Sequence, residues 1–254
     1  MSEDAPLKPR PSRSKAARAA ADASAARGPV WRQGMRWAWR GLVGVAAFYA
    51  VLILLFAFVN PPTNFYIWSE GQRLGTVQQT SVDFTDIAPA VARSVVEAED
   101  ANFCLHWGFD IAAIRAAIDQ DSQRGASTLT QQMVKNTFLW HGRSWLRKAM
   151  EAVLTPVVEL VWSKQRILEV YLNIAEFDEG VFGVQAAAQH YFGVDARDLT
   201  DTQAARLAAV LPDPKGRSAS DPSDFVRKRA RSILSGAETI AADGRADCFQ
   251  SADQ

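Results

Sequence analysis

One run of nineteen residues, Gly41 to Val59 (GLVGVAAFYAVLILLFAFV), contains neither a charge nor a proline, and it constrains this chain more than any other feature. Its length is close to the roughly 20 residues that a helix needs to cross the hydrocarbon core of a bilayer. Tryptophans precede the run, and Tyr66 and Trp68 follow it, as is typical of interfacial aromatic residues. Because the run has no polar face, it predicts a membrane-spanning helix rather than a buried core helix.

The segment before this run is basic, with nine Lys/Arg against three Asp/Glu in residues 1–40. Arg32, Arg36 and Arg40 predict that the amino end lies in the cytoplasm. A cleaved signal peptide is the alternative, but the apolar run is long and no small-residue cleavage site follows it. We therefore expect an uncleaved single-pass anchor in the cell inner membrane, with the chain after it in the periplasm. The anchor explains the basic charge without a nucleic-acid partner.

The rest of the chain is predicted to be mainly α, because seven segments between Ile87 and Ile233 have apolar residues at three-to-four spacing. Residues 65–83 carry short alternating runs that predict a small strand pair. Pro156 is expected to kink or split a helical region. The predicted divisions are a disordered basic tail (1–40), the anchor (41–60), a linker with short strands (61–84), one helical domain (85–236) and a polar, frayed C-terminal tail (237–254).

The two cysteines, Cys104 and Cys248, would both lie outside the cytoplasm, where a disulfide is permitted. One pair so far apart in sequence is weak evidence for a bond, and we expect two free thiols. No Cys or His spacing indicates a structural metal.

The stretch Gly125 to Asn136 (GASTLTQQMVKN) concentrates hydroxyl and amide side chains with one lysine. On a helix, its polar side chains fall within an arc of roughly 140°, and Leu129 and Met133 fall on the other side. Either the stretch is a solvated helix start with Ser127 or Thr128 as N-cap, or its polar face binds a ligand. The residues of that face are Ser127, Thr128, Gln131, Gln132 and Lys135.

Carboxylates and cations cluster on either side of that stretch. Glu99 and Asp100 precede an aromatic segment, and a carboxylate desolvated against Phe103, His106 or Trp107 would have a raised pKa, suitable for a general base. Alternatively, both carboxylates cap neighbouring elements. Farther along, cations crowd near Glu151 and could bind a phosphate or form surface ion pairs. These cations are Arg143, Arg147 and Lys148.

Five motifs in this order resemble the family-51 peptidoglycan glycosyltransferases, the polymerase modules of class A penicillin-binding proteins, which also exist as monofunctional transglycosylases. The motifs are E-D-x-x-F-x-x-H-x-G-x-D (99–110), G-A-S-T-L-T-Q-Q-x-x-K-N (125–136), R-K-x-x-E (147–151), K-x-x-I-L-E-x-Y-L-N (164–173) and G-V-x-A-A-A-x-x-Y-F-G (183–193). The resemblance covers about residues 85–235.

The resemblance implies a lysozyme-like helical domain with a small membrane-facing jaw lobe, and lipid II and the growing glycan strand as substrates. It implies that Glu99 is the general base and Glu151 a second essential carboxylate. Substrate-binding positions implied by the resemblance are Ser127, Thr128, Gln131, Gln132, Lys135, Arg143, Lys148 and Lys164. A divalent cation, Mg or Mn, and partner proteins of cell-wall synthesis or division are open expectations.

The implied reaction joins a sugar hydroxyl to the anomeric carbon of a lipid-diphosphate donor, inverts that carbon and forms a β-1,4 link. It needs one base for the hydroxyl and positive charge for the leaving diphosphate. A lytic muramidase on the same scaffold is the alternative, although it needs a protonated acid and no cations. A non-catalytic scaffold is a third possibility. The one Ser-x-x-Lys sequence, Ser12 to Lys15, lies in the tail, so we expect a monofunctional polymerase.

Overall fold

The computed structural model of the chain describes residues 13–119, 127–142 and 144–250. They fall into two compact units, divided between Leu52 and Ile53. The described α-helices are α1 (Arg13–Phe56), α2 (Phe65–Leu74), α3 (Pro89–Glu99), α4 (Ile111–Asp119), α5 (Leu129–Phe138), α6 (Trp145–Val161), α7 (Lys164–Ile174), α8 (Val184–Phe192), α9 (Asp201–Val210) and α10 (Asp224–Ala242). The prediction of a mainly α protein is confirmed.

Helix α1 contains the predicted membrane span. Within it, Trp31–Phe56 is long and apolar enough to cross a membrane, judged by length and composition. Apolar side chains there, such as Leu42 and Phe48, are exposed, as contact with lipid requires. The prediction of a disordered tail is wrong from Arg13 onward, because α1 already begins there. Alanine, the residue with the highest helix propensity, is frequent in this segment.

The last turn of α1 belongs to the second unit, where α7 and its N-terminal flank hold it. The indole Nε1 of Trp162 donates to the carbonyl of Ile53 at 2.8 Å. The guanidinium of Arg166 donates to the carbonyl of Phe56 at 2.9 and 3.0 Å. The carbonyl of Ile53 also accepts from the backbone N–H of Ala57 at 3.0 Å, so the indole adds a second bond there. The carbonyl of Phe56, at the end of the helix, has no backbone partner among the described residues, and Arg166 satisfies it.

The core of the second unit places the end of α3 beside the start of α5. Helix α3 packs against α9 and α10 through side chains such as Val91 and Val95, which are fully buried. Helix α5 packs against α6 and α7. Asp100, directly after α3, accepts a hydrogen bond from the backbone N–H of Leu129 at 2.9 Å. This bond ties the first residue of α5 to the carboxyl end of α3.

The second unit also contains a small three-stranded sheet. Its strands are β1 (Gln78–Gln79), β2 (Glu176–Asp178) and β3 (Val181–Phe182), in the order β1-β3-β2. Strand β3 pairs in parallel with β1 and antiparallel with β2. Gly183 follows β3 with a φ of 83°, and a Cβ there would lie 2.8 Å from the carbonyl oxygen of Asn173. Only glycine fits this position.

The prediction of a strand pair in residues 65–83 is wrong. Phe65–Leu74 is helix α2, and only Gln78–Gln79 is extended in a ladder, with β3 as its partner. The side chain of Asn64 accepts a hydrogen bond from the N–H of Ile67 at 2.8 Å and so caps the first turn of α2.

Of the two outcomes predicted for Pro156, a kink or a split, the split does not occur. Pro156 lies inside α6, which continues to Val161, and the break comes at Ser163, whose hydroxyl caps α7. The side chain of Thr155 donates to the carbonyl of Glu151 at 2.7 Å and adds a bond in the turn before the proline.

The C-terminal segment is part of the folded unit, so the predicted frayed tail is wrong as far as residue 250. Helix α10 continues through Gly236, and Phe249 is 2% exposed against Phe103. Cys104 and Cys248 form a disulfide, which corrects the expectation of two free thiols. No local sequence pattern reports these contacts, since they join residues about 140 positions apart.

Candidate active site

Glu99 ends α3 with its side chain partly buried. Its Oε2 accepts a hydrogen bond from Nε2 of Gln132 on α5 at 2.9 Å. Burial is the main cause that raises the pKa of Glu99, and the charge of Asp100 acts in the same direction. The bond from Gln132 and the charges of Arg229 and Lys135 act against this rise. The predicted direction of the shift is confirmed.

The aromatic surroundings expected for Glu99 are different in the structure. Phe103 packs against Phe249, and Trp107 is exposed. His106 hydrogen-bonds through Nε2 to Asp100 Oδ1 at 2.9 Å. The expected alternative, a capping carboxylate, therefore holds for Asp100, which also accepts from the start of α5. Burial desolvates Glu99, and its side-chain hydrogen-bond partner is Gln132 of α5.

The predicted polar face of α5 divides into a cap and a cleft wall. Thr128 is the N-cap, and it forms reciprocal hydrogen bonds with Gln131. Both side chains are buried, and the hydroxyl of Thr128 also donates to the carbonyl of Gly108 at 2.7 Å. These two residues thus have partners inside the protein, and Leu129 and Met133 are buried as predicted. Ser127 is half-buried just before the cap.

Gln132, Lys135 and Asn136 are the α5 residues that line an open cleft. The cleft has a volume of about 350 Å³, and its walls come from α2, α5, α7, the turn after α5 and the loop after α9. Lining residues used below are Tyr66, Gln132, Lys135, His141, Tyr171 and Lys215. Gln132 bonds Glu99 directly, so the carboxylate lies one hydrogen bond away from a lining residue of this cleft.

Lys135 has no ion pair or hydrogen bond from its ammonium group to any residue that the structure describes. Burial lowers its pKa most, and the neighbouring charges of Arg147 and Lys148 lower it further. The charges of Glu151 and Glu99 act in the opposite direction. An unpaired, partly buried ammonium group is ready to bind an anionic ligand, which would replace its missing partner.

Glu151 is 2% exposed and is neutralised by two cations of its own helix. Arg147 Nη1 lies 2.7 Å from its Oε2, and Lys148 Nζ contacts its Oε1. A buried carboxylate needs such partners, and in return it fixes the positions of both cations. Glu151 thus holds two cations in place beside Lys135.

Lys164, a predicted binding residue, has its ammonium group engaged by partners away from the cleft. The ammonium group of Lys164 donates to the carbonyl of His106 at 2.7 Å and to Glu159 at 2.8 Å, and it lies over the ring of Phe103. This lysine is a structural partner of Glu159, which also accepts from Thr130. Arg143 lies outside the described residues.

Three potential metal ligands come together after α3: Asp100, His106 and Asp110 each offer an atom within 4.8 Å of the others. Hydrogen bonds already engage all three. Asp110 accepts from Asn102 at 3.0 Å and from the backbone of Ala113 at 2.8 Å. The cluster is therefore explained as a structural network. Both oxygens of Glu151 also contact cations, so neither place is assigned to a metal ion.

Sequence reasoning missed part of the cleft. It interpreted Tyr66 as an interfacial aromatic residue of the membrane, whereas the side chain lines the cleft. His141 and Lys215 were not singled out, because each stands alone without a periodic pattern. The position of His141 between Lys135 and Arg143 was the one available signal.

Comparisons with known proteins identify the family of this chain. Residues 69–238 match the model of the Transglycosylase family. A protein of Jannaschia sp. (strain CCS1) described as a biosynthetic peptidoglycan transglycosylase is 60% identical over 214 residues, which cover 84% of this chain and 90% of that protein. Proteins with the same description from Pseudomonas putida (strain GB-1) and Xanthomonas oryzae pv. oryzae are 49% and 45% identical, over 75% and 79% of this chain and 85% and 86% of their own.

The chain belongs to the transglycosylase family. This confirms the resemblance drawn from the five motifs, and with it the predicted class of enzyme, a peptidoglycan glycosyltransferase.

Proposed function

We propose that this protein polymerises peptidoglycan glycan chains from lipid II, and that Glu99 is the base of the reaction. The observation that carries the proposal is the pairing of Glu99 with Gln132, which lines one cleft together with the unpaired Lys135, one helical turn later. A carboxylate with a raised pKa and an unpaired cation are the two groups that the transfer requires.

In the proposed reaction, Glu99 removes the proton from the acceptor sugar hydroxyl as the oxygen attacks the anomeric carbon of the donor. The bond from that carbon to the lipid diphosphate breaks, and the configuration inverts. Lys135 stabilises the negative charge that develops on the diphosphate, and Glu151 keeps Arg147 and Lys148 in place. The product is a β-1,4-linked strand longer by the transferred unit, together with the free lipid diphosphate.

We further propose that the protein is anchored in the cell inner membrane by α1, with its amino end in the cytoplasm and residues 61–254 in the periplasm. The arginines before the span support this orientation. An exposed apolar stripe on α6 supports a membrane-facing lobe; its residues include Trp145, Leu146, Val153, Val157 and Leu160. Activity of a periplasm-only reporter fused after Gln254 is expected, and activity of a cytoplasm-only reporter there would contradict the orientation.

The test of the activity uses purified full-length protein and labelled lipid II. The wild type is expected to make glycan strands, and Glu99→Gln to lose about 10²–10⁴ in rate while still binding lipid II. Glu97→Gln is the matched control, because Glu97 also lies on α3 with a pKa raised by burial but packs against Gly236 of α10.

Three outcomes would contradict the proposal. Shortening of preformed glycans without polymerisation would identify a muramidase. Neither activity would identify a scaffold. Polymerisation by Glu99→Gln at the wild-type rate would remove Glu99 from the role of base.

A further inference from the structure

His141 is held in a fixed position on the wall of the cleft. Its ring stacks on the ring of Tyr66 with centroids 3.8 Å apart and an interplanar angle of 24°. The hydroxyl of Tyr66 donates to Oε2 of Glu176 at 2.5 Å, so the ring beneath the histidine is fixed at its far end. The turn after α5 thereby presents one imidazole to the same cleft as Lys135.

The imidazole of His141 has no hydrogen-bond partner among the described residues. Its Nδ1 is buried and unpaired, and no side chain or backbone group of the described ranges bonds to Nε2. Buried polar atoms without partners are rare in folded proteins and cost free energy. Since Nδ1 is buried, a ligand in the cleft would reach the ring through Nε2, which is not buried and has no partner in the described residues.

Charged and titratable groups face the ring from every surrounding element. They are Tyr66 and Glu70 of α2, Lys135 of α5, Arg147 of α6, Tyr171 of α7, Glu176 of β2, and Asp213 and Lys215 of the loop after α9. Two of the three carboxylates already have partners: Glu70 pairs with Arg73 and Lys215, and Glu176 accepts from Tyr66. At the ring itself, the charges of Lys135, Arg147 and Lys215 outweigh that of Glu70.

Burial, followed by the charges of Lys135 and Arg147, lowers the pKa of His141 to about 4. The charge of Glu70 opposes this shift and that of Lys215 adds to it. The ring is therefore neutral at pH 7, with one N–H donor and one lone pair. An anion in the cleft would offset the surrounding cations and so favour the protonated ring.

We propose that His141 binds a phosphate oxygen of the donor's diphosphate, side by side with Lys135, and takes up a proton as the anion binds. The inference rests on the proposed function, since it concerns the same cleft and the same donor. It assigns the diphosphate one more ligand that becomes cationic only when the anion is present. The released lipid diphosphate carries the same group and is expected to be held in the same way.

The first test measures the titration of His141 directly by side-chain NMR of the full-length protein, with inorganic pyrophosphate as the probe. The chain has three histidines, so the His141 signal is identified by its loss in His141→Asn. Without the probe, the ring is expected to stay neutral from about pH 5 to about pH 7.5; with saturating probe, its titration is expected to move up into this range. His190, exposed and paired with Asp178, is the internal control and should not respond.

The second test separates binding from stacking. His141→Phe keeps a ring against Tyr66 but has no nitrogen, whereas His141→Asn keeps a donor but cannot take up a proton. We expect the KM for lipid II to rise roughly tenfold or more in His141→Phe and less in His141→Asn, because a hydrogen bond to a charged group is lost in the first and weakened in the second. Inhibition by pyrophosphate should weaken in parallel, and His190→Asn should match the wild type.

The results distinguish this inference from the proposed function. If the wild type polymerises lipid II but His141→Phe has an unchanged KM, or the His141 pKa ignores pyrophosphate, the inference is wrong and the polymerase stands. If the wild type makes no polymer while pyrophosphate still shifts the His141 titration, the anion site stands and the polymerase assignment is wrong. If His141→Phe raises the KM for lipid II but pyrophosphate does not move the His141 titration, the ring contacts an uncharged group such as a sugar. This outcome also contradicts the inference.

Discussion

At the scale of single residues, ionisable side chains at the cleft are buried enough to disfavour their charged forms. Burial raises the pKa of Glu99 and lowers that of Lys135, so each group is less favourable in its charged form than it would be in water. Groups of this kind cluster at functional sites, because the reaction needs charge that water does not screen. The free energy that the fold gives up there becomes visible when the groups are removed.

Glu99→Gln is therefore expected to increase stability at neutral pH while it removes activity. A carboxyl group whose folded pKa is raised contributes stability below its unfolded pKa, and this contribution is lost as the pH rises through the folded pKa. At pH 7 the charged form is thus a burden that glutamine lacks, and Gln132 can still donate to the amide oxygen. We expect a gain of roughly 1 kcal/mol, or about 2–4 °C in Tm, measured by calorimetry at pH 7. The gain should vanish toward pH 4, and a loss of Tm at pH 7 would contradict the argument.

Lys135→Met tests the cation in the same way. Its pKa is lowered in the folded state, so its charge opposes folding slightly at pH 7, and methionine fills a similar volume. We expect polymerisation of lipid II to fall by at least about a hundredfold, since a positioned donor at a developing charge is removed, with a change in stability within about 0.5 kcal/mol. Lys228→Met on the exposed face of α10 is the control and should keep full activity. Wild-type turnover in Lys135→Met would return α5 to an ordinary solvated helix.

At the scale of elements, α5 combines two tasks at its two ends. Its first turn is fixed by the Thr128–Gln131 capping box and by the carboxylate of Asp100. Its later turns present Gln132 and Lys135 to the cleft. A helix start with this many internal hydrogen bonds fixes the position of the residues that follow it.

Thr128→Ala separates the cap from the substrate surface. Losing the cap and the bond to Gly108 should cost about 1–2 kcal/mol of unfolding free energy, with little change in polymerisation below the unfolding range. Thr200→Ala is the matched control, because Thr200 and Gln203 form the same capping box on α9 with an exposed cap. It should cost less, about 0.5–1 kcal/mol. A large loss of activity in folded Thr128→Ala would instead support the substrate contact that the motif implied.

The sequence predicted those parts of the fold and site that depend on local periodicity. The pattern of α5 gave its buried residues Leu129 and Met133 correctly, and the N-cap at Thr128 was one of two alternatives. The same pattern did not show that the side chain of Gln131 is buried against Thr128. Helical spacing gives the face on which a side chain lies but not the residue to which it bonds. Helix α2 was missed because short alternation outweighed the cap signal of Asn64.

At the scale of the whole molecule, the C-terminal segment supports the residues that follow Glu99. Phe249 packs on Phe103, and Arg245 donates to the carbonyl of Ala101 at 3.3 Å. The disulfide between Cys104 and Cys248 adds a covalent link to the same contact. The chain after α10 therefore acts on the loop between Glu99 and α4, although the two are far apart in sequence.

The disulfide is expected to form after export and to stabilise the second unit. Because it closes a loop across most of that unit, its removal should cost about 2–5 kcal/mol of unfolding free energy. Cys104→Ser/Cys248→Ser should unfold at a lower temperature than the oxidised wild type and should no longer respond to dithiothreitol, whereas the wild type treated with dithiothreitol should approach the variant. Polymerisation of lipid II by the folded variant should also fall, because the loop after Glu99 loses one of its three attachments. An unchanged Tm in the variant would mean that Phe249 and Arg245 hold this loop without the covalent link.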